Sequence, residues 1–311
     1  MSDIDPGRAL ETYRRDGIVV LHDFLSREDV NAIRRGGEQI REHFHHIYGA
    51  TSPVKTRGGW RLDIPPVNLV RQGGAQYADA VGRMMAHPFI QTACKAILGP
   101  DWNVTALVYD YREPCNDPLP PENFEPGYPP AYYWHVDHGR PALKNSGIFT
   151  LRFQAYLNDT DFERGAMGYA AGSQRLVKYL RTCLNEIATP VSPVPIIDTH
   201  QSITKAKDAL DAHGYELDGE YRELYDSFIA TVPTHDLASA DTAYSASAGS
   251  VLMFDDTGMH RGNFVNTDHR YVFRCLCMPI AGRFKDWTSA KNSLARSYYK
   301  STLNQPFRSL M

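Results

Sequence analysis

The chain has 311 residues, of which 42% are hydrophobic and 22% charged, and its formal net charge is −3. That composition is typical of a globular protein with a sizeable core, and the charge gives no support to nucleic acid or an acidic membrane as a partner. No apolar run approaches the roughly 18 residues of a membrane span, and the polar residues 1–6 do not form a signal peptide. We therefore expect a cytoplasmic protein, monomer or homodimer, that acts on a small molecule.

The five cysteines are scattered and odd in number, which argues against a disulfide framework and favours a reducing compartment. Cys275 and Cys277 share one face of a predicted strand. We interpret them as small buried hydrophobic side chains.

The first part of the chain predicts helices around one strand. Residues 6–15 form a helix that Gly17 ends, and residues 18–21 form a strand. Ser26 with Asp29 three residues later is an N-cap pattern that opens a long amphipathic helix. This pattern predicts a helical N-terminal layer.

Residues 51–68 contain several prolines and glycines, which predict irregular structure. Arg57, Trp60 and Arg61 lie in this segment. Two interpretations stay open: a solvated surface loop, or a loop whose basic and aromatic groups line a substrate pocket.

The middle of the chain predicts helix from 77 to 98, broken near Pro88, and a strand from 103 to 111. Residues 114–130 are rich in proline and predict a long loop.

A His-x-Asp triplet follows that loop, in the stretch 132–138. Because side chains alternate along a strand, His135 and Asp137 point the same way and Val136 points away. One imidazole and one carboxylate side by side can supply two ligands to a metal. With one further histidine they suit non-haem Fe(II).

A second group of motifs lies far downstream. A Gly-Ser turn at 249–250 leads into an apolar strand, and a short loop containing Gly258 leads to His260. Arg270 opens the next strand, and Arg274 shares its face.

The strand at 148–157 alternates polar and apolar residues, with Arg152 and Gln154 on the polar face. That face either lines a site inside a barrel or is solvated.

The interval from His135 to His260 also contains an apparent insertion, about 190–244, with helices at 201–212 and 220–229. We interpret this insertion as a lid or an oligomer contact.

Taken together, these motifs resemble the phytanoyl-CoA dioxygenase family. The motifs that carry the resemblance are residues 13–21 with 24–26, the triplet 135–137, residues 155–159, residues 165–167 with the turn at 172–173, and finally His260 and Arg270. Their order and spacing extend over most of the chain.

The resemblance implies a single oxygenase domain, residues 1–311. Its fold class is α+β, mainly β with helices, and its core is a double-stranded β-helix of the jelly-roll, cupin-like type. It implies that His135, Asp137 and His260 bind Fe(II), and that Arg270 anchors 2-oxoglutarate. O2 is the other co-substrate. Arg274 is the alternative anchor, because an arginine fork matches a carboxylate.

The resemblance also places Arg152 and Gln154 near the co-substrate. The family often has a serine two residues after the distal histidine, and Gly262 stands there instead. Tyr133 and Trp134 precede the triplet and predict an aromatic wall beside the iron. For the substrate, we expect the lining residues to be Tyr133, Trp134, Arg57, Trp60, Arg61 and Arg261.

The function that the resemblance implies is hydroxylation or desaturation of a small organic molecule, and a specialised metabolite is the substrate expected from the family. Relatives that halogenate lack the metal carboxylate, whereas Asp137 is present. We interpret His138 and His269 as orienting or solvated groups rather than ligands. Two alternatives are a cupin-like metal isomerase or hydrolase that does not use 2-oxoglutarate, and a non-catalytic small-molecule binding protein.

Overall fold

The computed structural model describes residues 4–48, 55–56, 59–64, 66–114, 134–137, 151–188, 195, 197–232 and 242–279. The helices in this part are α1 Pro6–Asp16, α2 Arg27–Tyr48, α3 Pro66–Ala86, α4 Pro88–Leu98, α5 Ser173–Ile187, α6 His200–Ala212 and α7 Gly219–Thr231. The strands are β1 Ile18–Leu21, β2 Lys55–Thr56, β3 Gly59–Ile64, β4 Trp102–Arg112, β5 Leu151–Tyr156, β6 Met167–Tyr169, β7 Val251–Asp255, β8 His260–Gly262 and β9 Arg270–Pro279. Within these residues no helix has both the length and the apolar character of a membrane span.

Local signals account for the start of the fold. The Asp5 carboxylate accepts hydrogen bonds from the backbone N–H groups of Gly7, at 2.9 Å, and Arg8, at 3.2 Å, and so caps α1. Gly17 ends the helix with φ 80°, a left-handed conformation that glycine adopts without a steric cost. The predicted helix and the strand that follows it are both confirmed.

Seven strands form one antiparallel sheet in the order β1-β7-β5-β9-β4-β3-β2, and β6 pairs with β8 in a small second sheet. The two faces of the large sheet differ. Along β9, Phe273, Cys275 and Cys277 join the core that packs under α1 to α4, whereas Arg270 and Arg274 occupy the alternate positions. The fold is therefore a mixed α+β fold in which one face of the large sheet is apolar. The other face carries polar side chains together with a smaller apolar cluster that includes Leu252, Phe254 and Val272. The cysteines are buried, as expected.

The prediction of irregular structure over residues 51–68 was wrong. The segment contains β2 and β3, and α3 already begins at Pro66. β3 pairs along its whole length with β4, with Arg61 opposite Asp110. The paired residues are 43 to 53 positions apart in the chain, and such tertiary pairing overrides the local breaking effect of glycine and proline.

The two helices expected within the insertion are confirmed as α6 and α7. They pack with α5 in a second apolar cluster that includes Leu180, Ile203 and Phe228. Trp134 and Val136, which flank His135 in the chain, belong to the same cluster. The segment that carries His135 therefore rests on this second cluster.

Candidate metal centre

The structure brings together the three side chains that the sequence singles out as ligands. One ligand atom from each of His135, Asp137 and His260 lies within 4.8 Å of the other two. Backbone pairing explains why residues so distant in the chain meet. The N–H of His135 donates to the carbonyl of His260 at 3.0 Å, and the N–H of His260 donates back at 2.9 Å.

Neighbouring backbone also fixes the triplet. The N–H of Val136 donates to the carbonyl of Asp198 at 3.0 Å, and that of Asp137 donates to the carbonyl of Asp256 at 3.1 Å. The triplet is therefore held between the start of α6 and the loop after β7. The alternation holds as expected, since His135 and Asp137 line a cavity while Val136 is buried in the second cluster.

The loop between β7 and β8 orients the His260 ring. Its Nδ1 lies 2.8 Å from the carbonyl oxygen of Gly258. A carbonyl only accepts, so Nδ1 carries the proton and Nε2 keeps its lone pair for a metal. The loop is itself fixed, because the Asp255 carboxylate accepts from both the N–H, at 2.9 Å, and the hydroxyl, at 2.6 Å, of Thr257.

Gly258 has no room for a side chain. A Cβ at this position would lie 1.9 Å from the Tyr169 hydroxyl oxygen, which donates to the Asp255 carbonyl at 3.0 Å. Gly258→Ala is therefore expected to lower the free energy of unfolding by about 1–3 kcal/mol, the usual cost of overpacking. A thermal melt should show a Tm lower by roughly 2–10 °C.

Gly219→Ala provides the matched control, because a Cβ at Gly219 meets nothing within 4 Å. An unchanged Tm for Gly258→Ala would contradict the packing described for the loop before His260.

The Asp137 carboxylate is ionised and held by a cation. The Arg152 guanidinium contacts its Oδ2, and the Arg152 Nε lies 3.4 Å from Oδ2 of Asp256. Burial alone would raise the pKa of the Asp137 carboxyl, but Arg152 and then the His260 and His135 rings hold that pKa well below its usual range. One carboxylate and two imidazoles fit ferrous iron with open coordination positions.

A cluster of arginines around a buried carboxylate occupies the same polar face of the large sheet. The Asp110 carboxylate is 2.7 Å from Nε of Arg112 and 2.8 Å from an Arg274 nitrogen. An Arg270 nitrogen lies farther away, at 3.6 Å. Arg274 also donates to Oε1 of Gln154 at 2.8 Å. Asp110 therefore holds two guanidiniums directly and adjoins a third.

Sequence patterns alone did not reveal Asp110 and Arg112. Both lie on β4 at alternate positions, beside β9 in the sheet, with Arg112 directly opposite Arg270. The only sequence feature that could have revealed them was a charged pair two residues apart in an otherwise uncharged strand. Its meaning depends on knowing which strand lies next to it.

Of the residues expected near the co-substrate, Arg152, Gln154 and Arg270 all line the cavity, together with Arg274. The polar face of β5 thus points toward the triad. Of the two interpretations of its alternation, a face that lines a site and a solvated face, the structure supports the first. His269 points elsewhere, since its ring stacks on Tyr111 with 5.5 Å between ring centroids.

Of the residues expected to line the substrate pocket, the structure places one at the cavity. Arg261 lines the cavity. Trp134 instead packs in the second cluster, with the Arg261 guanidinium carbon 4.6 Å from its ring centroid. Alternation explains this, because Trp134 and Val136 share the face opposite His135. Three other residues lie outside the described residues: Tyr133, Arg57 and His138. The backbone of Trp60 and Arg61 lies in β3, and their side chains are outside the described part of the structure.

A family model described as Phytanoyl-CoA dioxygenase (PhyH) matches residues 13–271, most of the chain. No curated protein sequence matches.

Solved structures share the fold at low sequence identity. AviO1 from Streptomyces viridochromogenes Tue57 is 15% identical with a TM-score of 0.50, over 90% of this chain and 98% of that one. The non-haem alpha-ketoglutarate-dependent carbocyclase SnoK from nogalamycin biosynthesis is 14% identical with a TM-score of 0.50, over 92% of each chain. At such identities, these two likenesses show the fold alone.

Proposed function

This chain belongs to the phytanoyl-CoA dioxygenase family, and from that premise we propose that it hydroxylates or desaturates a small organic molecule. Enzymes of this family are non-haem oxygenases that use Fe(II), 2-oxoglutarate and O2, and the chain is one of them. The observation that carries the proposal is the convergence of His135, Asp137 and His260 at one cavity. An intact carboxylate at Asp137 favours these oxidations over halogenation.

The iron would be held by Nε2 of His260, a nitrogen of His135 and an oxygen of Asp137. When bound, it supplies the oxidation of a substrate C–H bond coupled to conversion of 2-oxoglutarate and O2 into succinate and CO2. The chain contributes the geometry. Gly258 fixes the His260 ring through its carbonyl, and Arg152 restrains the Asp137 carboxylate.

Arg270 is the proposed anchor for the distal carboxylate of 2-oxoglutarate. Its side chain is buried and lines the cavity, and its fork can make two parallel hydrogen bonds to a carboxylate. Gln154 and Arg152 lie on the neighbouring strand β5, facing the same space. We assign them to the walls around the co-substrate.

Two finer parts of the proposal concern the architecture and the substrate. We propose that the two sheets belong to a double-stranded β-helix, with α6 and α7 forming a lid beside it. We also propose that the substrate is a specialised metabolite, because SnoK, which shares the fold, acts in nogalamycin biosynthesis.

The test has two stages. First, anaerobic protein receives Fe(II) and then 2-oxoglutarate, and visible absorbance reports whether the two bind together at one equivalent each. Second, O2 and a metabolite library are added, and mass spectrometry follows succinate and products that gain one oxygen or lose two hydrogens. Product formation that does not depend on 2-oxoglutarate would contradict the proposal.

A further inference from the structure

One helix, α5, contacts both ends of the loop between β7 and β8. At the start of the loop, Nζ of Lys178 donates to Oδ2 of Asp255, the last residue of β7, at 2.5 Å. At its end, the Ser173 hydroxyl oxygen accepts the N–H of Met259 at 2.8 Å. Met259 directly precedes the ligand His260 in the chain. Both α5 side chains therefore bind the loop that leads to the metal centre.

The Asp255 carboxylate connects Lys178 to the middle of the loop. Its side chain is 2% exposed, and its Oδ1 accepts from the N–H and the hydroxyl of Thr257. A buried carboxylate is stable where cations and hydrogen-bond donors meet it. Lys178 brings such a cation from a side chain that is itself 47% exposed. The ammonium group therefore helps to keep the carboxylate in the position from which it holds Thr257.

Met259 is fixed on several sides at the other end of the loop. Its carbonyl accepts the N–H of Ala170 at 2.9 Å, and its side chain is buried in the second apolar cluster. Ser173 satisfies the remaining backbone group, the N–H. A buried N–H that loses its partner costs free energy, so without the Ser173 hydroxyl the backbone at Met259 has reason to shift.

These contacts lead to the ring of His260 through Gly258, which lies between the two fixed ends. The Gly258 N–H donates to the Asp255 carbonyl at 3.1 Å, and the Gly258 carbonyl lies 2.8 Å from Nδ1 of His260. The direction of that carbonyl decides which ring nitrogen carries the proton, and so which nitrogen is left for a metal. The loop therefore transmits the position of α5 to the ring.

From these contacts we propose that Lys178 and Ser173 are positioning residues for the iron ligand His260. The inference rests on the proposed function, because it takes His260 as a ligand of iron. Neither residue is among the described residues that line the cavity at the metal centre. Their effect on iron is therefore exerted through the loop between β7 and β8.

Lys178→Gln is expected to raise the dissociation constant of Fe(II) by about tenfold, the lower end of the usual effect of groups that orient metal ligands, because the lysine acts through the loop. Anaerobic calorimetry on iron-free protein, well below its Tm, measures this constant. Lys178→Arg keeps the cation and should bind iron more tightly than Lys178→Gln. Lys207→Gln is the matched control, because it removes the ion pair with Asp211 within α6. It should bind iron as the parent does.

Ser173→Ala is expected to raise the dissociation constant of Fe(II) by about tenfold or more, because the N–H of Met259 loses its partner. Ser250→Ala is its matched control. Ser250 is buried just before β7, at the far end of that strand from Asp255, and its hydroxyl oxygen lies 3.3 Å from that of Ser247. This control should bind iron as the parent does.

A second readout separates positioning from stability and needs no iron. Nitrogen-15 spectra of labelled histidine side chains report which ring nitrogen carries the proton, and His260→Ala identifies the signals of this residue. The iron-free parent should have the proton on Nδ1 of His260. Lys178→Gln and Ser173→Ala should give a mixture of the two tautomers. A merely structural role would lower the Tm and leave both the tautomer and the iron affinity unchanged.

The outcomes for this inference and for the proposed function are distinct. If the parent binds iron, both variants bind it as tightly, and the His260 proton stays on Nδ1, the inference is overturned and the proposed function stands. If Ser173→Ala does not fold, Lys178→Gln, at a half-exposed position, decides alone. If the parent does not bind iron, the proposed function itself fails.

Discussion

His260→Ala is expected to abolish stoichiometric iron binding and, with it, formation of succinate. The substitution removes one of three ligands, leaving one imidazole and one carboxylate on the triplet at 135–137. Loss even of a group that only orients a ligand commonly weakens metal affinity by about 10- to 100-fold, so loss of the ligand itself should cost roughly 100-fold or more. Iron content after dialysis and anaerobic calorimetry measure the effect.

Two controls distinguish loss of the metal ligand from unfolding of the variant. The His260 ring faces the cavity, and the strand pairing with His135 uses backbone atoms that alanine retains. The Tm of the iron-free variant should therefore stay close to that of the iron-free parent. His213→Ala is the matched control, because His213 is exposed at the end of α6. One iron per chain in the His260 variant would exclude this residue as a ligand.

Local periodicity was sufficient to pair His135 with Asp137, whereas His260 was predicted from the resemblance to the family. The His-x-Asp spacing places two side chains on one face of a strand, whatever the rest of the fold does. The same periodicity places Trp134 on the opposite face, so its assignment to the substrate wall conflicted with the alternation that located His135. The structure agrees with the alternation, since Trp134 packs in the second apolar cluster with residues of α5, α6 and α7.

The Asp110 cluster could not be predicted in the same way. Asp110, Arg274 and Gln154 come from three strands far apart in the chain, and they meet because β9 lies between β4 and β5. Strand order is a tertiary property that the pattern within one strand does not contain. The same reason applies to β3, whose proline- and glycine-rich surroundings predict a loop until its pairing with β4 is known.

Asp110 also gives a physical basis for choosing between the two candidate anchors on β9. Arg274 is already engaged, with its Nε on Gln154 at 2.8 Å and a terminal nitrogen on Asp110 at 2.8 Å. Arg270 is less engaged among the described residues: one terminal nitrogen donates to the Gly165 carbonyl, the other is 3.6 Å from Asp110, and its buried Nε has no hydrogen-bond partner. A carboxylate that binds Arg270 therefore displaces fewer existing contacts.

Arg270→Ala is accordingly expected to raise the dissociation constant of 2-oxoglutarate by about 30- to 5,000-fold, because removing one partner of a buried charge pair costs roughly 2–5 kcal/mol. Iron affinity should stay within about threefold of the parent, since Arg270 is not a ligand. Anaerobic titration of the iron-loaded protein with 2-oxoglutarate, followed by visible absorbance, measures the first quantity, and calorimetry measures the second.

Arg274→Ala is the discriminating comparison. Its loss takes hydrogen-bond donors from both Asp110 and Gln154, so it should lower the free energy of unfolding by about 1–3 kcal/mol. Its effect on 2-oxoglutarate binding should be less than about tenfold.

Arg270→Lys should bind 2-oxoglutarate more weakly than the parent but better than Arg270→Ala, because an ammonium keeps the charge without the fork. If Arg274→Ala loses 2-oxoglutarate binding and Arg270→Ala retains it, the proposal is wrong and Arg274 is the anchor.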